Sequence, residues 1–187
     1  TAVEAAVKLH HDVKEKFDQI EKIVIRTQEP AIRIISKVGN LANAADRDHC
    51  IQYMAAVGLI YGDLKAEFYE DDFHNENPLI DSLRDKMEII EDKRFSDDYL
   101  DPEKRSIANA MKVIFKDGSS TDDVEVEYPI GHKRRRSEGI PLLEQKFLNN
   151  LNKCFDKDKS NSIYELGTNQ ENLEKTTVHD FMAMLVK

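Results

Sequence analysis

Three side chains in the stretch AADRDHCIQYM have the types and spacing needed for chemistry on an anion. His49 and Tyr53 are four residues apart, so they would share one face of a helix, with Arg47 in its first turns. Free amides at a helix N-terminus attract anions, so this face could hold a carboxylate and deliver a proton. Spacing alone leaves open the alternative that His49 and Tyr53 are satisfied polar groups at the edge of a core helix.

Two further arginines are candidates for binding a carboxylate. Arg26 lies near the end of a segment rich in β-branched residues, and Arg33 lies in the short segment that follows it. A guanidinium group matches a carboxylate with two parallel hydrogen bonds, so both side chains could serve as additional anion partners. Neither position indicates a function by itself.

The segment YPIGHKRRR concentrates positive charge in a chain whose formal net charge is -9. His132, Lys133 and Arg134 open this basic run, which follows a predicted strand ending in Pro129-Ile-Gly131. Consecutive cations are typical of a localisation signal or a solvated surface. A third interpretation is a rigid, positively charged corner that attracts a multiply charged anion or an acidic neighbouring domain. Composition does not choose among the three.

The bulk composition restricts the classes of partner. A chain of 187 residues with 40% hydrophobic and 34% charged residues fits one domain, or a domain with an appendage. The negative balance argues against a general nucleic-acid or anionic-membrane binder, because such proteins need a broad basic face. No apolar run reaches the roughly 20 residues of a membrane span. We therefore expect neither nucleic acid nor membrane as a partner.

Cysteine and metal motifs offer little support for redox or metal chemistry. Cys50 and Cys154 lie in helix-like apolar patterns, so we interpret them as reduced core thiols of an intracellular protein. The segment DKDKSNSIYELG, which begins at Asp156, imitates a calcium loop but has Gly167 where a bidentate glutamate is required. We interpret that segment as a solvated linker. No recognised nucleotide or zinc motif occurs, so we expect no metal and no cofactor.

The elements that must position these candidates follow from hydrophobic periodicity. Spacings of three and four predict a first helix from Ala2 to Phe17, and IEKIVIRT predicts a strand. Alternating residues around KDGSS predict a hairpin. Further helices are predicted over residues 30–38, 44–61 and 79–90, beyond Pro141, and in VHDFMAMLV. Helices combined with a hairpin and one further strand indicate an α+β fold.

Several blocks in one order resemble the C-terminal part of the MmgE/PrpD family. They are TAVEAAVKLH, ADRDHCIQYM, DYLDPEKRSIANA, FKDGSS, VEVEYPIGHKRRR and EGIPLLEQKF. The resemblance spans residues 1 to about 151, and the tail from Cys154 onward is similar only in its closing helix. It implies an α+β lid-type domain at residues 1–139 with a small antiparallel or mixed sheet. Residues 140–187 would be helices that return to an all-helical domain absent from this chain.

The same resemblance implies a function and partners. Members of the family include metal-independent lyases that remove water from 2-methylcitrate to give 2-methyl-cis-aconitate in propionate catabolism, and relatives that decarboxylate cis-aconitate. The implied partners are a tricarboxylate substrate, the N-terminal helical domain and a second copy in a homodimer. Because the chain begins at Thr1 inside a helical pattern, we expect a piece of a longer protein. A yeast-like tail favours the mitochondrial matrix; a bacterial parent would be cytoplasmic.

Site roles follow from the matching positions. Tyr53 matches the lid tyrosine that similar enzymes point at the substrate, and His49 and Arg47 belong to the same motif. Gly131 and His132 match a recurrent pair after the last lid strand. The cations that follow this pair, where decarboxylating relatives have a proline-containing sequence, favour the dehydrating branch. The competing hypothesis is a folded but catalytically silent lid or interaction module.

Overall fold

A computed structural model describes residues 1–186, and the chain divides into two compact units, Thr1–Pro129 and Ile130–Lys187. The first unit holds the sheet and the larger core, and the second unit is helical. The sequence-based division after residue 139 concerns roles within a longer protein, and it stays a prediction.

The first unit is built on a mixed sheet of four strands. These are β1 (Ile20–Thr27), β2 (Met87–Glu91), β3 (Asn109–Phe115) and β4 (Val124–Val126), in the spatial order β2-β1-β3-β4. Strand β1 runs parallel to β2 and antiparallel to β3, so Ile23 lies between Met87 and Val113. Ile20, Ile23 and Ile25 are fully buried, and β1 therefore forms the centre of both the sheet and the core.

Helices cover this sheet and carry the candidate residues. They are α1 (Ala2–Val13), α2 (Glu29–Ile35), α3 (Ala44–Asp48), α4 (Ile51–Tyr61), α5 (Asp71–Glu76), α6 (Leu79–Arg84) and α7 (Lys93–Leu100). Helix α1 buries the stripe Ala2, Ala5, Ala6, Leu9 and Val13. It meets α4 so closely that a Cβ on Gly58 would lie 2.9 Å from the Cβ of Ala6. Small residues at this crossing therefore set the separation of the two helices.

The second unit begins with a 3-10 helix at Lys133–Arg135. Helices α8 (Arg136–Asn152), α9 (Lys157–Thr168), α10 (Gln170–Lys175) and α11 (Val178–Met184) follow it. Leu151 and Ile163 are its buried aliphatic side chains, and the rings of Phe147 and Tyr164 lie 6.2 Å apart between α8 and α9. Most other apolar side chains of α8 remain exposed within this unit.

The α+β class, the strand over residues 20–27 and the pairing of the two later strands are confirmed. The first helix is confirmed too, although it ends at Val13. The predicted limits of two other helices need adjustment. Helix α2 ends at Ile35 instead of Val38, and α8 begins at Arg136, before Pro141. The closing helix is confirmed as α11.

The single central helix predicted over residues 44–61 is wrong. Helix α3 ends at Asp48, and Cys50 is extended before α4 begins at Ile51. Tertiary contacts fix this break: the Asp46 carboxylate binds the amide of Ala42 and the ammonium of Lys37, and the Cys50 thiol donates to the Lys37 carbonyl. Such contacts override hydrophobic periodicity, which does not detect a change of helix axis.

The helix predicted over residues 79–90 is also only partly right. Helix α6 ends at Arg84, and Met87–Glu91 forms β2 at the edge of the sheet. A short edge strand needs only one buried face and one partner, so its pattern is too brief to be distinguished from a helix.

Two predictions about the second unit are wrong. Cys154 is exposed and not a core thiol, whereas Cys50 is buried as expected. The solvated linker predicted at residues 156–167 is helical, because Asp156 caps α9 by accepting a hydrogen bond from the amide of Lys159 at 2.9 Å. The aspartate that resembled a calcium ligand therefore initiates a helix.

Candidate functional site

Arg47 is a buried cation whose contacts are all internal. Its residue is 2% exposed, its Nε donates to the carbonyl of Tyr69 at 2.6 Å, and its Nη2 pairs with the carboxylate of Asp71. Asn43 fixes the start of α3 by accepting from the amide of Asp46 at 2.9 Å. A buried guanidinium requires such partners, so Arg47 is committed to the segment that carries Tyr69 and Asp71.

Tyr53 is fully buried in the first turn of α4. Its hydroxyl donates to the carbonyl of Phe68 at 2.7 Å, and its ring lies 6.2 Å from Tyr69 and 5.6 Å from His74 between centroids. Burial raises the pKa of Tyr53 to about 12, although the charge of Arg47 opposes the shift. The phenol therefore stays protonated across the physiological range, so its hydroxyl keeps a proton to donate.

One segment covers both residues, and we name residues 66–77 the strap. It contains the 3-10 helix Ala66–Tyr69 and α5. Phe68 and Phe73 stack at 4.7 Å and lie 5.3 and 5.4 Å from the ring of Tyr61, whose hydroxyl donates to Asn77. The strap is thus held on α4 by aromatic contacts as well as by Arg47 and Tyr53.

His49 does not share a helix face with Tyr53, contrary to the prediction. It terminates α3, its side chain is exposed, and its Nδ1 lies 3.2 Å from the Ala45 carbonyl and contacts the Asp48 carboxylate. The break at Cys50 removes the four-residue register that the prediction required. His49 is consequently available to solvent, whereas Tyr53 is not.

The two other arginines make ion pairs elsewhere in the first unit. Arg26 pairs with Asp92 and, at 2.7 Å, with Asp123, and it lies 5.4 Å from the centre of the Phe95 ring. Arg33 is exposed and lies 3.5 Å from the Glu29 carboxylate one turn earlier. The structure therefore brings together Arg47 and Tyr53 through the strap, and it gives Arg26 and Arg33 their own carboxylate partners.

The basic run lies at the start of the second unit. Nδ1 of His132 accepts from the amide of Arg134 at 3.2 Å, which caps the 3-10 helix that contains Lys133 and Arg134. Arg135 pairs with Glu138 at 2.9 Å. Cations at the beginning of α8 add to the positive end of the helix dipole, which is the arrangement that attracts an anion.

Sequence reasoning missed a charged cluster beside Tyr53. His74 on α5 places Nε2 at 3.5 Å from Oδ2 of Asp81 on α6, and Asp81 also pairs with Arg84. The only indication of this cluster in the sequence was an aromatic, acidic stretch before α6. Its residues are too far from Tyr53 in sequence for periodicity to place them together.

Metal sites and membrane spans are two further features that residues 1–186 could contain. No group of three or more histidine, cysteine, aspartate or glutamate side chains is arranged to hold a metal ion. Within the same residues, none of the helices is both long enough and apolar enough to cross a membrane.

Comparison with known proteins gives a consistent family assignment. The model for the MmgE/PrpD C-terminal domain matches residues 1–172. The mitochondrial 2-methylcitrate dehydratase of Yarrowia lipolytica is 46% identical over 100% of this chain and 36% of its own length. The 2-methylcitrate dehydratase of Cupriavidus necator is 48% identical over 98% of this chain and 38% of its own length. A probable 2-methylcitrate dehydratase of Saccharomyces cerevisiae is 54% identical over 83% of the chain and 30% of its own length. The chain thus spans well under half the length of these relatives.

Proposed function

The chain belongs to the MmgE/PrpD C-terminal domain family, and on that premise we propose that it forms part of a hydro-lyase that converts 2-methylcitrate to 2-methyl-cis-aconitate. The observation that supports the proposal is identity of 46% and 48% to two 2-methylcitrate dehydratases across 98% or more of this chain. The proposed setting is the methylcitrate cycle of propionate catabolism. The proposed compartment is the mitochondrial matrix for a eukaryotic parent and the cytoplasm for a bacterial one.

The proposed chemistry removes a proton beside a carboxylate and protonates the departing hydroxyl. Tyr53 is our choice as proton donor or hydroxyl anchor, because its raised pKa of about 12 keeps the phenol protonated. The hydroxyl now donates to the Phe68 carbonyl, so it must exchange that partner for the substrate. His49, which is exposed at the end of α3, is the second proposed catalytic group.

Cations are proposed to bind the substrate's carboxylates. Arg47 would exchange Asp71, which it contacts through Nη2, for a substrate carboxylate, since a guanidinium group can bind a carboxylate with two parallel hydrogen bonds. Arg26 and Arg33 have comparable carboxylate partners, which a substrate would have to displace. His132, Lys133 and Arg134 would attract a substrate that carries about three negative charges near neutral pH.

The proposal extends to the assembly. The parent protein would contribute an N-terminal helical domain with the remaining acid and base groups, would act without a metal and would form a homodimer. The length of the relatives supports the proposed additional domain, because this chain covers only 30–39% of each of them.

Product analysis by NMR tests the function. The full-length parent and this chain are incubated separately with 2-methylcitrate and with cis-aconitate in the presence of a chelator. Formation of 2-methyl-cis-aconitate by the parent alone is expected. A decarboxylated product from cis-aconitate would transfer the assignment to the sister reaction, and turnover by the isolated chain would show that the catalytic groups lie within it.

A further inference from the structure

His74 stands between the proposed catalytic tyrosine and a fixed carboxylate. We propose that His74, held by Asp81, is a positioning residue that keeps the strap closed over Tyr53. The role of His74 in catalysis rests on the proposed function, whereas its role in holding the strap rests on the geometry alone.

The position of His74 links three elements. The side chain belongs to α5 in the strap, is 13% exposed, and packs against Tyr53 of α4 with ring centroids 5.6 Å apart and planes inclined by 52°. On α6, Oδ2 of Asp81 lies 3.5 Å from its Nε2. One imidazole therefore fixes the strap relative to both helices beneath it.

Asp81 is itself anchored, so it can serve as a fixed point. Its Oδ1 pairs with Nη1 of Arg84, whose side chain is 6% exposed, and Nη2 of Arg84 donates to the carbonyl of Gly39 at 3.0 Å. Asp81 therefore presents its second oxygen to His74 from a rigid base. Movement at this contact must come from the strap.

Packing alone does not account for a histidine here. Within residues 1–186, the buried Nδ1 of His74 has no hydrogen-bond partner, and the same is true of Nε of Arg84. Burying an unpartnered polar nitrogen is unfavourable, and a phenylalanine would fill the same space without that penalty. What a phenylalanine could not supply is the contact between Nε2 and Asp81.

The contact has a consequence for Tyr53. The phenol is fully buried and donates to the strap's own carbonyl at Phe68, so the position of the strap determines the position of the phenol. If the Asp81 contact is lost, the strap should open more often and the phenol should be held in a less defined position. His74 then determines how well Tyr53 is placed without touching the substrate itself.

Amide hydrogen exchange on the 187-residue chain tests the strap directly. In His74→Phe, the backbone amides of residues 74 and 77, which form hydrogen bonds within the strap, should exchange roughly tenfold faster. The exchange rates of amides in α1 and β1 should not change. His74→Gln, whose side-chain amide can donate a hydrogen bond to Asp81, should restore slow exchange. Asn75→Ala, at an exposed neighbour on α5, is the matched control and should leave exchange unchanged.

Two results would overturn the proposal. One is unchanged strap exchange in both His74→Phe and Asp81→Asn. The other is equal acceleration at every amide in the chain, which would show that His74 only contributes to global stability. Phenylalanine keeps an aromatic ring at this position and asparagine is nearly isosteric with aspartate, so both variants should remain folded.

A kinetic measurement on the full-length parent separates this proposal from the proposed function. His74→Phe should lower kcat about tenfold and leave KM within about twofold, and His74→Gln should restore kcat. If the parent does not dehydrate 2-methylcitrate, the exchange result still decides whether His74 holds the strap. If the parent is active but exchange is unaffected, the dehydration stands and His74 is not a positioning residue.

Discussion

Arg47 and Tyr53 are both buried, and each directs a polar group toward a backbone carbonyl of the strap. A sequence can indicate that both residue types suit a carboxylate substrate, but it does not show that the fold already uses them. Each side chain must therefore hold the strap and also serve the proposed substrate. Substitutions at either position should alter stability as well as turnover.

Tyr53→Phe removes one hydroxyl without opening a cavity. We expect the free energy of unfolding to fall by about 1 kcal/mol, because the Phe68 carbonyl loses its donor. We expect kcat of the full-length parent to fall by roughly 10² to 10⁴ if the phenol donates a proton. Tyr99→Phe, at a partly exposed ring, is the control for both urea unfolding and turnover. Full turnover by Tyr53→Phe would remove this residue from the mechanism.

Alkaline pH should destabilise the first unit through Tyr53. Burial raises the pKa of its phenol from 10.0 to about 12, so the folded state binds the proton more tightly than the unfolded state. The resulting stability is complete below pH 10 and is lost as the pH rises toward 12. Urea unfolding measured across this window should show the decline in the unmodified chain and a weaker decline in Tyr53→Phe. Equal slopes in the two proteins would contradict the prediction.

Asp71→Asn tests the ion pair of Arg47. Arg47 is buried while the Asp71 side chain is 70% exposed, so water can compensate only the carboxylate. We expect a loss of about 1 to 2 kcal/mol, below the 3 to 5 typical of a fully buried pair. Asp72→Asn, at the exposed neighbour, should change unfolding by less than about 0.5 kcal/mol. Comparable effects in the two variants would show that Arg47 does not depend on Asp71.

At the scale of elements, the sequence predicted what local periodicity encodes. Strand β1 alternates buried isoleucines and is bounded clearly, so its limits were correct. The break between α3 and α4 depends on contacts of Asp46 and Cys50 with Lys37 and Ala42, and β2 exists because β1 offers it a parallel partner. Neither is visible in a local pattern. His74 was missed for the same reason, since its relation to Tyr53 and Asp81 arises only after the strap folds over α4.

Gly58→Ala tests the crossing of α1 and α4. Alanine favours a helix over glycine by about 1 kcal/mol, but its Cβ would lie 2.9 Å from the Cβ of Ala6. We expect the clash to dominate and to lower stability by about 1 to 3 kcal/mol. Gly131→Ala is the control, because a Cβ there meets no atom within 4 Å. Thermal unfolding followed by circular dichroism measures both, and a stabilised Gly58→Ala would show that the helices can separate easily.

At the scale of the molecule, the two units differ in how much apolar surface each buries. The first unit contains an extensive core around β1, whereas α8 exposes Ile140, Leu142 and Leu143, and the second unit buries mainly Leu151 and Ile163. A unit with few buried contacts opens at a lower free energy. The exposed side chains of α8 are consistent with the proposal that these helices belong with a domain outside this chain.

Limited proteolysis should reflect that difference. We expect the first cleavages within residues 130–187 and a resistant fragment close to Thr1–Pro129, identified by mass spectrometry. Initial cleavage within β1 or α4 would show that the first unit is the less stable of the two.

The pairing of β1 also has a consequence for biosynthesis. This strand is translated before its two neighbours, because both of its hydrogen-bonding edges are completed by strands that begin at Met87 and Asn109. At typical ribosomal speeds of about 5 to 20 residues per second, β1 waits on the order of seconds with its isoleucines uncovered. We therefore expect chaperones that bind extended apolar segments to recognise a nascent chain of this protein until Asn109–Phe115 has left the ribosome.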